Sequence, residues 1–336
     1  GKQMNKTIKM GIVGTNFISD RMVDALLAVN CATPYAVYSR TKEKGEAFAQ
    51  RHHIEKVYSD YQAFLKDDAL DAVYVATPNS THADFATKAI MAGKHVLCEK
   101  PMALCTVEFD RLTSLAKAHG VVLIEAMRPA FDPAYQVVKT QMEKLGKLRY
   151  ACLDFCQYSS RYDAFLGGEV LRAFDPSFGN AALMDIGVYP LHVALMLFGK
   201  PRATHAVSVF LHNGFEWMGK LTLTYEDMLV DVRYSKITQS SQPSVITGEK
   251  GSLHIDKLSQ PSRLSYVANN GKITEIPYTP LENNMIFEVE AFVRYIREGQ
   301  LCAPEMTVSR WTTEQLDCAR RLLGIRFSEE DELFFS

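Results

Sequence analysis

Neither sign of charge dominates this chain: 37 Lys and Arg stand against 39 Asp and Glu, a formal balance of −2. The basic footprint of a nucleic-acid or anionic-membrane binder is missing, so neither partner is expected. No apolar run reads as long enough to span a bilayer. Cysteine is sparse and odd in number, seven residues in all. Cys152 and Cys156 lie four apart, but the paired clusters of a zinc site are absent and no metal is expected. The cysteines read as reduced, buried thiols of a cytoplasmic protein. Gly1, Lys2 and Gln3 read as a cloning remnant ahead of Met4, and an apolar strand follows so soon that a signal peptide is not expected.

What is present is an ordinary globular composition, 47% hydrophobic and 23% charged over 336 residues, enough for two domains. "IKMGIVG" (8–14) is an apolar strand ended by glycine, and "ISDRMVDALLAVN" after it spaces Met22, Leu26 and Val29 as one helical stripe. The alternation repeats with "YAVYSR" and "KEKGEAFAQRH", "DAVYVATP" and "HADFATKAIMAG", "HVLCEKP" and "VEFDRLTSLAKAHG", and closes on "VVLIEAM" near residue 127. Such a pattern predicts a parallel sheet covered on both faces, with ligands at the carboxyl ends of its strands.

The first crossover, "GIVGTNFIS", offers Gly14, Asn16 and Ser19 where a dinucleotide fingerprint has G-x-G-x-x-G/A. Gly14 makes the tight turn; Asn16 replaces a glycine and is expected to tolerate left-handed φ. The second strand ends in Ser39 and Arg40, with Lys44 one helical turn on, and shows no carboxylate for a ribose 2′-hydroxyl. A hydroxyl and two cations suit a 2′-phosphate, so NADP(H) is expected to be preferred, with NAD(H) possible. In "HVLCEKPMA" Lys100 follows an apolar strand and a carboxylate, and Pro101 stiffens the backbone behind it. Alone it reads as a loop lysine at a strand end.

The stretch "VATPNSTHADFATKAIMAGKHVLCEKPMA" (75–103) resembles the glucose–fructose oxidoreductase/inositol dehydrogenase (Gfo/Idh/MocA) family. "GNAALMDIGVYPLHVALMLFG" (179–199) resembles the same family's G-x-x-x-D-x-G-x-Y-x-x-H motif, and "EAMRPAFDP" (125–133) its interdomain segment. The resemblance implies an α/β fold class: an N-terminal Rossmann dinucleotide-binding domain (4–127) and a C-terminal α+β domain (128–336) with a large open, mostly antiparallel sheet. "KLTLTY", "MLVDVRYS", "SLHIDK" and "RLSYVA" agree by strand-like alternation, and "MIFEVEAFVRYIREG" and "RWTTEQLDCARRLLG" follow as helices. In the family the open sheet face commonly joins subunits, which implies a homodimer or higher homo-oligomer.

The implied activity is hydride transfer between a nicotinamide cofactor and a sugar, polyol or related vicinal hydroxyl compound. Two other readings stand beside it: a glycoside hydrolase with tightly held NAD(H), and a cofactor-binding protein without turnover. Lys100 is the implied proton partner at the reacting oxygen, and Asp185, Tyr189 and His192 complete the catalytic set. Pro190 places the helix start near 186–190, so that Tyr189 and His192 share a face with Asp185 at its edge. His192 is the expected acid/base by its ordinary pKa, oriented by Asp185 or leaving Asp185 for substrate hydroxyls; Tyr189 is the alternative, as in relatives resembling dihydrodiol and xylose dehydrogenases. A lone histidine beside "VALMLFG" would otherwise read as core.

The cofactor set so implied is Gly14, Asn16, Phe17, Ile18, Ser39, Arg40, Lys44, Thr77, Pro78, Asn79, His82, Glu99 and Lys100. His52 and His53 read as solvated. The polar–aromatic loop 157–180 supplies Tyr158, Arg161, Tyr162 and Arg172 as substrate candidates. Three departures from the family pattern stand out: Asn16 for glycine, a glycine run reduced to Gly179, and Ala130 where an arginine is usual, with Arg128 two residues earlier.

Overall fold

The computed structural model describes residues 6–159, 161–167 and 172–327. The chain divides into two compact units, one formed by the described residues up to Phe131 with Glu282–Thr307, the other by Asp132–Leu281 with the described residues from Val308.

In the first unit β1 (Ile8–Val13), α1 (Phe17–Leu27), β2 (Ala32–Tyr38), α2 (Lys42–His52), β3 (Lys56–Tyr58), α3 (Tyr61–Leu65), β4 (Ala72–Val75), α4 (His82–Met91), β5 (His95–Glu99), α5 (Thr106–Ala118), β6 (Leu123–Ala126) and α6 (Arg128–Phe131) succeed one another. The six strands are all parallel, in the order β3-β2-β1-β4-β5-β6. Successive side chains of a strand point to opposite faces, and here each face has its own core. Met10, Ile12, Tyr74, Leu97 and Ile124 enter one apolar cluster, while Val13, Val73, Val75, Val96, Cys98 and Leu123 enter the other. The strand order reverses between β1 and β4, which makes the carboxyl ends of those strands the natural ligand crevice.

The boundary expected at 127–128 needs a correction at the far end of the chain. The helix Met285–Glu298 puts Met285, Val289, Phe292 and Val293 into the core that holds Met10 and Ile12. Its apolar stripe is plain in the sequence, but periodicity does not say which sheet the stripe covers.

The second unit contains α7 (Ala134–Met142), β7 (Leu148–Cys156), α8 (Arg161–Leu166), α9 (Val188–Phe198) and the strands β8 (Ala203–Phe210), β9 (Glu216–Thr224), β10 (Leu229–Ser235), β11 (Ser244–Gly248), β12 (Gly251–Ile255), β13 (Leu264–Ala268) and β14 (Ile273–Ile276). The helix described above is α10, and α11 (Glu305–Leu323) ends the described helices. The sheet runs β14-β13-β12-β11-β7-β10-β9-β8 and is antiparallel except between β7 and β10. Ala151, Leu153, Leu221, Leu223, Val230 and Val232 bury one face of it, the side on which α9 packs. On β8, Val207 and Val209 remain 66% and 48% exposed.

Two expectations are revised here. Pro176–Phe198 is long and apolar enough to cross a membrane by length and composition, because short 3₁₀, π and α segments follow one another there; 72% of its apolar window is buried within the fold. All seven cysteines are free, but only Cys98 is buried and Cys302 is exposed.

Candidate active site

The carboxyl ends of the first unit's strands gather the residues singled out for the cofactor. Gly14 follows β1 with φ +104°, and a Cβ there would lie 2.5 Å from the Ala76 carbonyl oxygen beyond β4. Only glycine lets the chain turn so close to its neighbour. Asn16 does not take the left-handed conformation expected of it. At φ −78°, ψ 179° it is the extended N-cap of α1: its Oδ1 accepts from the Ser19 amide at 3.3 Å and its Nδ2 donates to Ala76 O at 2.9 Å. Phe17, 73% exposed, and Ile18 open that helix. After β2, Ser39 is buried and its Oγ accepts from the Thr41 amide at 3.3 Å, while Arg40 and Lys44 are exposed at the start of α2.

His82 opens α4, and its ring bridges two loops. It is buried, Nδ1 lies 2.7 Å from Pro101 O and Nε2 lies 2.7 Å from Thr77 O. The histidine ties the Thr77–Pro78–Asn79 loop to the loop of Lys100. Thr77 is held a second time, its Oγ1 accepting from Thr81 Oγ1 at 2.6 Å. Of the two histidines expected to be solvated, His53 is exposed, whereas His52 is half-buried with Nε2 at 2.5 Å from Asp20.

Lys100 follows the last residue of β5, half-buried, and its bond to Pro101 is cis. Beyond Pro101 the Met102 amide donates to Glu125 Oε2 at 2.9 Å, from the buried strand β6. His82 and Glu125 therefore fix the backbone just after the lysine. Glu99 beside it accepts from Tyr74 Oη at 2.5 Å. Burial pushes the Glu99 carboxyl up, while Lys100, the Tyr74 hydroxyl and Arg128 pull it down. Glu288 on α10, fully buried, is pushed well above the carboxylate range by burial and by the charge of Glu99, with Arg128 opposing. The two carboxyls oppose each other's ionisation, and the cations and the Tyr74 hydroxyl favour the charge on Glu99 over Glu288.

In the second unit Asp185 lies on a π-helical turn, Leu183–Gly187, continuous with α9. The helical path thus begins before the 186–190 start expected from Pro190. An i→i+5 turn is wider than an α-turn and commonly marks a functional site. Asp185 Oδ2 accepts from Lys236 Nζ at 2.9 Å, and the same ammonium donates to Ala173 O at 3.2 Å. The Phe174 and Phe215 rings flank the ammonium, each centroid 5.3 Å away.

Tyr189 is buried against Phe155 of β7, ring centroids 5.4 Å apart. His192 is fully buried, and the partner of its Nδ1 is Thr312 Oγ1 of α11 at 3.1 Å, not Asp185. Thr312 already gives its proton to Val308 O at 2.8 Å. Its oxygen is therefore the acceptor, Nδ1 bears the hydrogen, and Nε2 keeps a lone pair that meets no hydrogen-bond partner among the described residues. Burial lowers the His192 pKa to about 3. The ordinary imidazole range on which its acid/base role was argued does not hold in this environment.

The described parts of the polar–aromatic segment, 157–159, 161–167 and 172–180, are not open loop throughout. α8 and short turns gather Phe165, Phe174, Phe215 and Ile237 into a small core of their own, with Tyr162 packed against it. Tyr158 is exposed and donates to Asp163 at 2.5 Å; Arg161 is exposed; Arg172 lies over the Phe178 ring at 5.0 Å.

Residues 8–127 match the NAD-binding Rossmann fold of the GFO/IDH/MocA oxidoreductase family, and residues 136–254 match its C-terminal domain. The chain belongs to this family. It is accordingly an NAD(P)-dependent oxidoreductase. It is 39% identical to a scyllo-inositol 2-dehydrogenase (NADP(+)) of Bacillus subtilis, over 95% of this chain and 98% of the relative. It is 27% identical to the trans-1,2-dihydrobenzene-1,2-diol dehydrogenase of Mus musculus, over 96% and 99% of the two chains. In fold it is similar to a 3-ketoreductase from Actinomadura kijaniata crystallised with NADP, with a TM-score of 0.83, 23% identity, and 94% and 97% of the chains covered.

The first unit fits the dinucleotide that this family binds: the Gly14 turn leaves backbone bare where β1 meets β4, and α1 opens its N-terminus beside it. Sequence reasoning missed Glu125, Glu288, Thr312 and Lys236. For Glu125 a signal was available, since a carboxylate inside "VVLIEAM" needs a buried partner. Lys236 stands 51 residues from Asp185 and carries no motif.

Proposed function

We propose that this oxidoreductase interconverts a secondary alcohol and its ketone on a sugar, cyclic polyol or related vicinal hydroxyl compound, preferring NADP(H) to NAD(H). The observation that carries the reading is the fixation of Lys100 at the end of β5 by His82 and Glu125. A cation carried on backbone held in this way can stabilise a developing alkoxide. Bound NADP(H) would supply or take the hydride. Lys100 handles the proton at the reacting oxygen, its ammonium giving one in reduction and its free amine taking one in oxidation. Asp185, oriented by Lys236, is the candidate contact for a neighbouring substrate hydroxyl. His192 offers a neutral acceptor at Nε2 and Tyr189 a phenol, with Tyr158, Arg161, Tyr162 and Arg172 as outer substrate contacts.

The substrate class is supported by the names of the relatives, one for an inositol and one for a dihydrodiol, both of which carry vicinal hydroxyls. NADP(H) preference is supported by Arg40 and Lys44 after β2 and by the NADP(+) in the first relative's name. A homodimer is supported by the exposed sheet face around Val207 and Val209, where Met218, Lys220 and Arg233 help line a concavity of about 460 Å³. A cytoplasmic setting is supported by seven free cysteines.

Inositols, aldoses and trans-dihydrodiols are to be screened with NADP⁺ and NAD⁺ while reduced cofactor is followed by absorbance. Turnover of at least one vicinal hydroxyl compound, faster with NADP⁺, is expected. Glycoside cleavage without net reduced cofactor would overturn the reading in favour of a hydrolase.

A further inference from the structure

The turn that carries Asp185 is gripped from the sheet behind it. Glu216, the first residue of β9, is buried, and three donors converge on its carboxylate. The Leu183 amide, at the start of the π-turn, donates to Oε1 at 2.8 Å. Ser208 of β8 and Tyr234 of β10 donate their hydroxyls to Oε2 at 2.5 and 2.6 Å. Tyr234 also meets the other end of the turn, for a Cβ on Gly187 would lie 2.9 Å from its ring. At Gly219 a Cβ would lie 2.4 Å from Tyr234 Oη and 2.7 Å from Ser208 Oγ, so a side chain there would occupy the knot itself. Both ends of the turn are thus held by one hydrogen-bonded unit, with Asp185 in the middle. Lys236, two residues past Tyr234, holds the Asp185 side chain.

We propose that Glu216 is a positioning residue: with Tyr234 and Ser208 it clamps the turn of Asp185, and taking a proton loosens that clamp. The proposal rests on the reading of Asp185 as a substrate contact. Its physical basis is the count of donors. Oε1 and Oε2 receive three hydrogens, and a proton on either oxygen sets a donor against donors. The Ser208 and Tyr234 hydroxyls can rotate away, but the Leu183 amide cannot. The groups facing Glu216 are the Leu183 amide and the Asp185 carboxylate from the turn, Ser208 from β8 and Tyr234 from β10; Lys236 reaches it through Asp185. Burial pushes Glu216 up to about 7, the three hydrogen bonds restrain it, and the Asp185 charge adds to the rise. The clamp would therefore change state near neutral pH.

The test compares three variants with the full-length enzyme, using a substrate found in the screen above. Glu216→Ala is expected to lower kcat on the order of 10–100-fold, the scale of a displacement of about 1 Å at a reacting group, while the Kd for NADP(H) stays within about twofold. In Glu216→Gln the amide oxygen can face Leu183 and the NH₂ can face the two hydroxyls. It should recover most of kcat at pH 8 and lose the inflection near pH 7 in the kcat/KM profile. Tyr234→Phe keeps the ring on Gly187 but removes one donor to the carboxylate, so the inflection should move upward. A folded Glu216→Ala enzyme with wild-type kcat, or an inflection that survives in Glu216→Gln, would overturn the clamp. Should Glu216→Ala not fold, an unmoved inflection in Tyr234→Phe overturns it equally. Asp185→Asn separates the two ideas: if it is inactive and Glu216→Ala is not, the clamp alone fails, and if Asp185→Asn turns over normally, the reading of Asp185 fails first.

Discussion

The two sheets hold their candidate site residues in different ways. In the first unit the strands end where the site residues begin: Gly14 after β1, Ser39 and Arg40 after β2, Thr77 beyond β4, Lys100 after β5. Each is placed by the strand it follows, and the sheet is rigid because both faces are packed. In the second unit the candidate catalytic residues Asp185, Tyr189 and His192 do not follow strands. They ride on a π-turn and helix laid across one face of the sheet, and they are aimed by partners from remote elements: Lys236 just past β10, Glu216 of β9 and Thr312 of α11. Strand-end placement is a local property and remote aiming is a tertiary one. Substitutions in the two units should therefore fail differently.

The largest effect is expected at the strand end. Lys100→Met should lower kcat by roughly 10²–10⁴-fold, the scale of a lost proton-transfer group, with cofactor affinity and melting temperature little changed. Stopped-flow turnover and calorimetry check this, and near-normal kcat would remove Lys100 from the chemistry.

The next effect tests remote aiming. Lys236→Met leaves Asp185, itself mostly buried, without its cation. Breaking a buried pair from one side costs about 3–5 kcal/mol, so both melting temperature and kcat should fall. Adding Asp185→Asn to Lys236→Met should restore stability, since no unpaired charge remains, but not the rate. Recovery of both would make the pair structural only.

Cofactor choice comes third. Arg40→Ala should weaken NADP(H) by roughly ten- to hundredfold, the worth of one hydrogen bond to a charged group, and leave NAD(H) nearly unaffected. Arg40 is exposed, so the preference should also shrink as salt rises. Fluorescence titration of both cofactors at two ionic strengths measures this, and an equal loss for both would return Arg40 to a loop cation.

What could be read from the sequence follows the same division. The alternation of strand and helix, the strand-end lysine and the Gly14 turn are local patterns, and the structure has them where they were expected. β3, only three residues long, and α3 with five are too short for any period to reveal. The docking of α10 on the first unit escaped because a stripe of apolar residues does not name its partner. Asn16 escaped because a short polar side chain serves either a left-handed turn or an N-cap, and only the Ala76 carbonyl nearby decides which. His192 was recognisable as a motif residue, but its titration was not, since burial belongs to the fold.

The buried His192 should show itself in stability and not in the pH profile of the rate. With a pKa near 3, His192 is neutral throughout the range where its unfolded form, near 6.5, would titrate. His192→Asn should therefore leave the near-neutral inflection of kcat/KM in place, whatever it does to kcat itself. The trace of His192 should be in stability instead. Between about pH 6.5 and 3 the unfolded chain binds a proton at this ring and the folded chain does not, so His192 makes stability fall as pH falls, by at most about 1.4 kcal/mol per pH unit. Glu216, raised from 4.5 to about 7, acts with the opposite sign between those values, because there the folded chain holds the extra proton. The two slopes oppose each other from pH 6.5 to 4.5. Removing His192 should leave the Glu216 slope uncovered: His192→Asn should gain stability relative to wild type as pH falls from 7 to 5. Urea unfolding at pH 5, 6 and 7 measures the difference, and a constant gap between the two proteins would mean that the imidazole takes its proton in the fold as readily as in the unfolded chain.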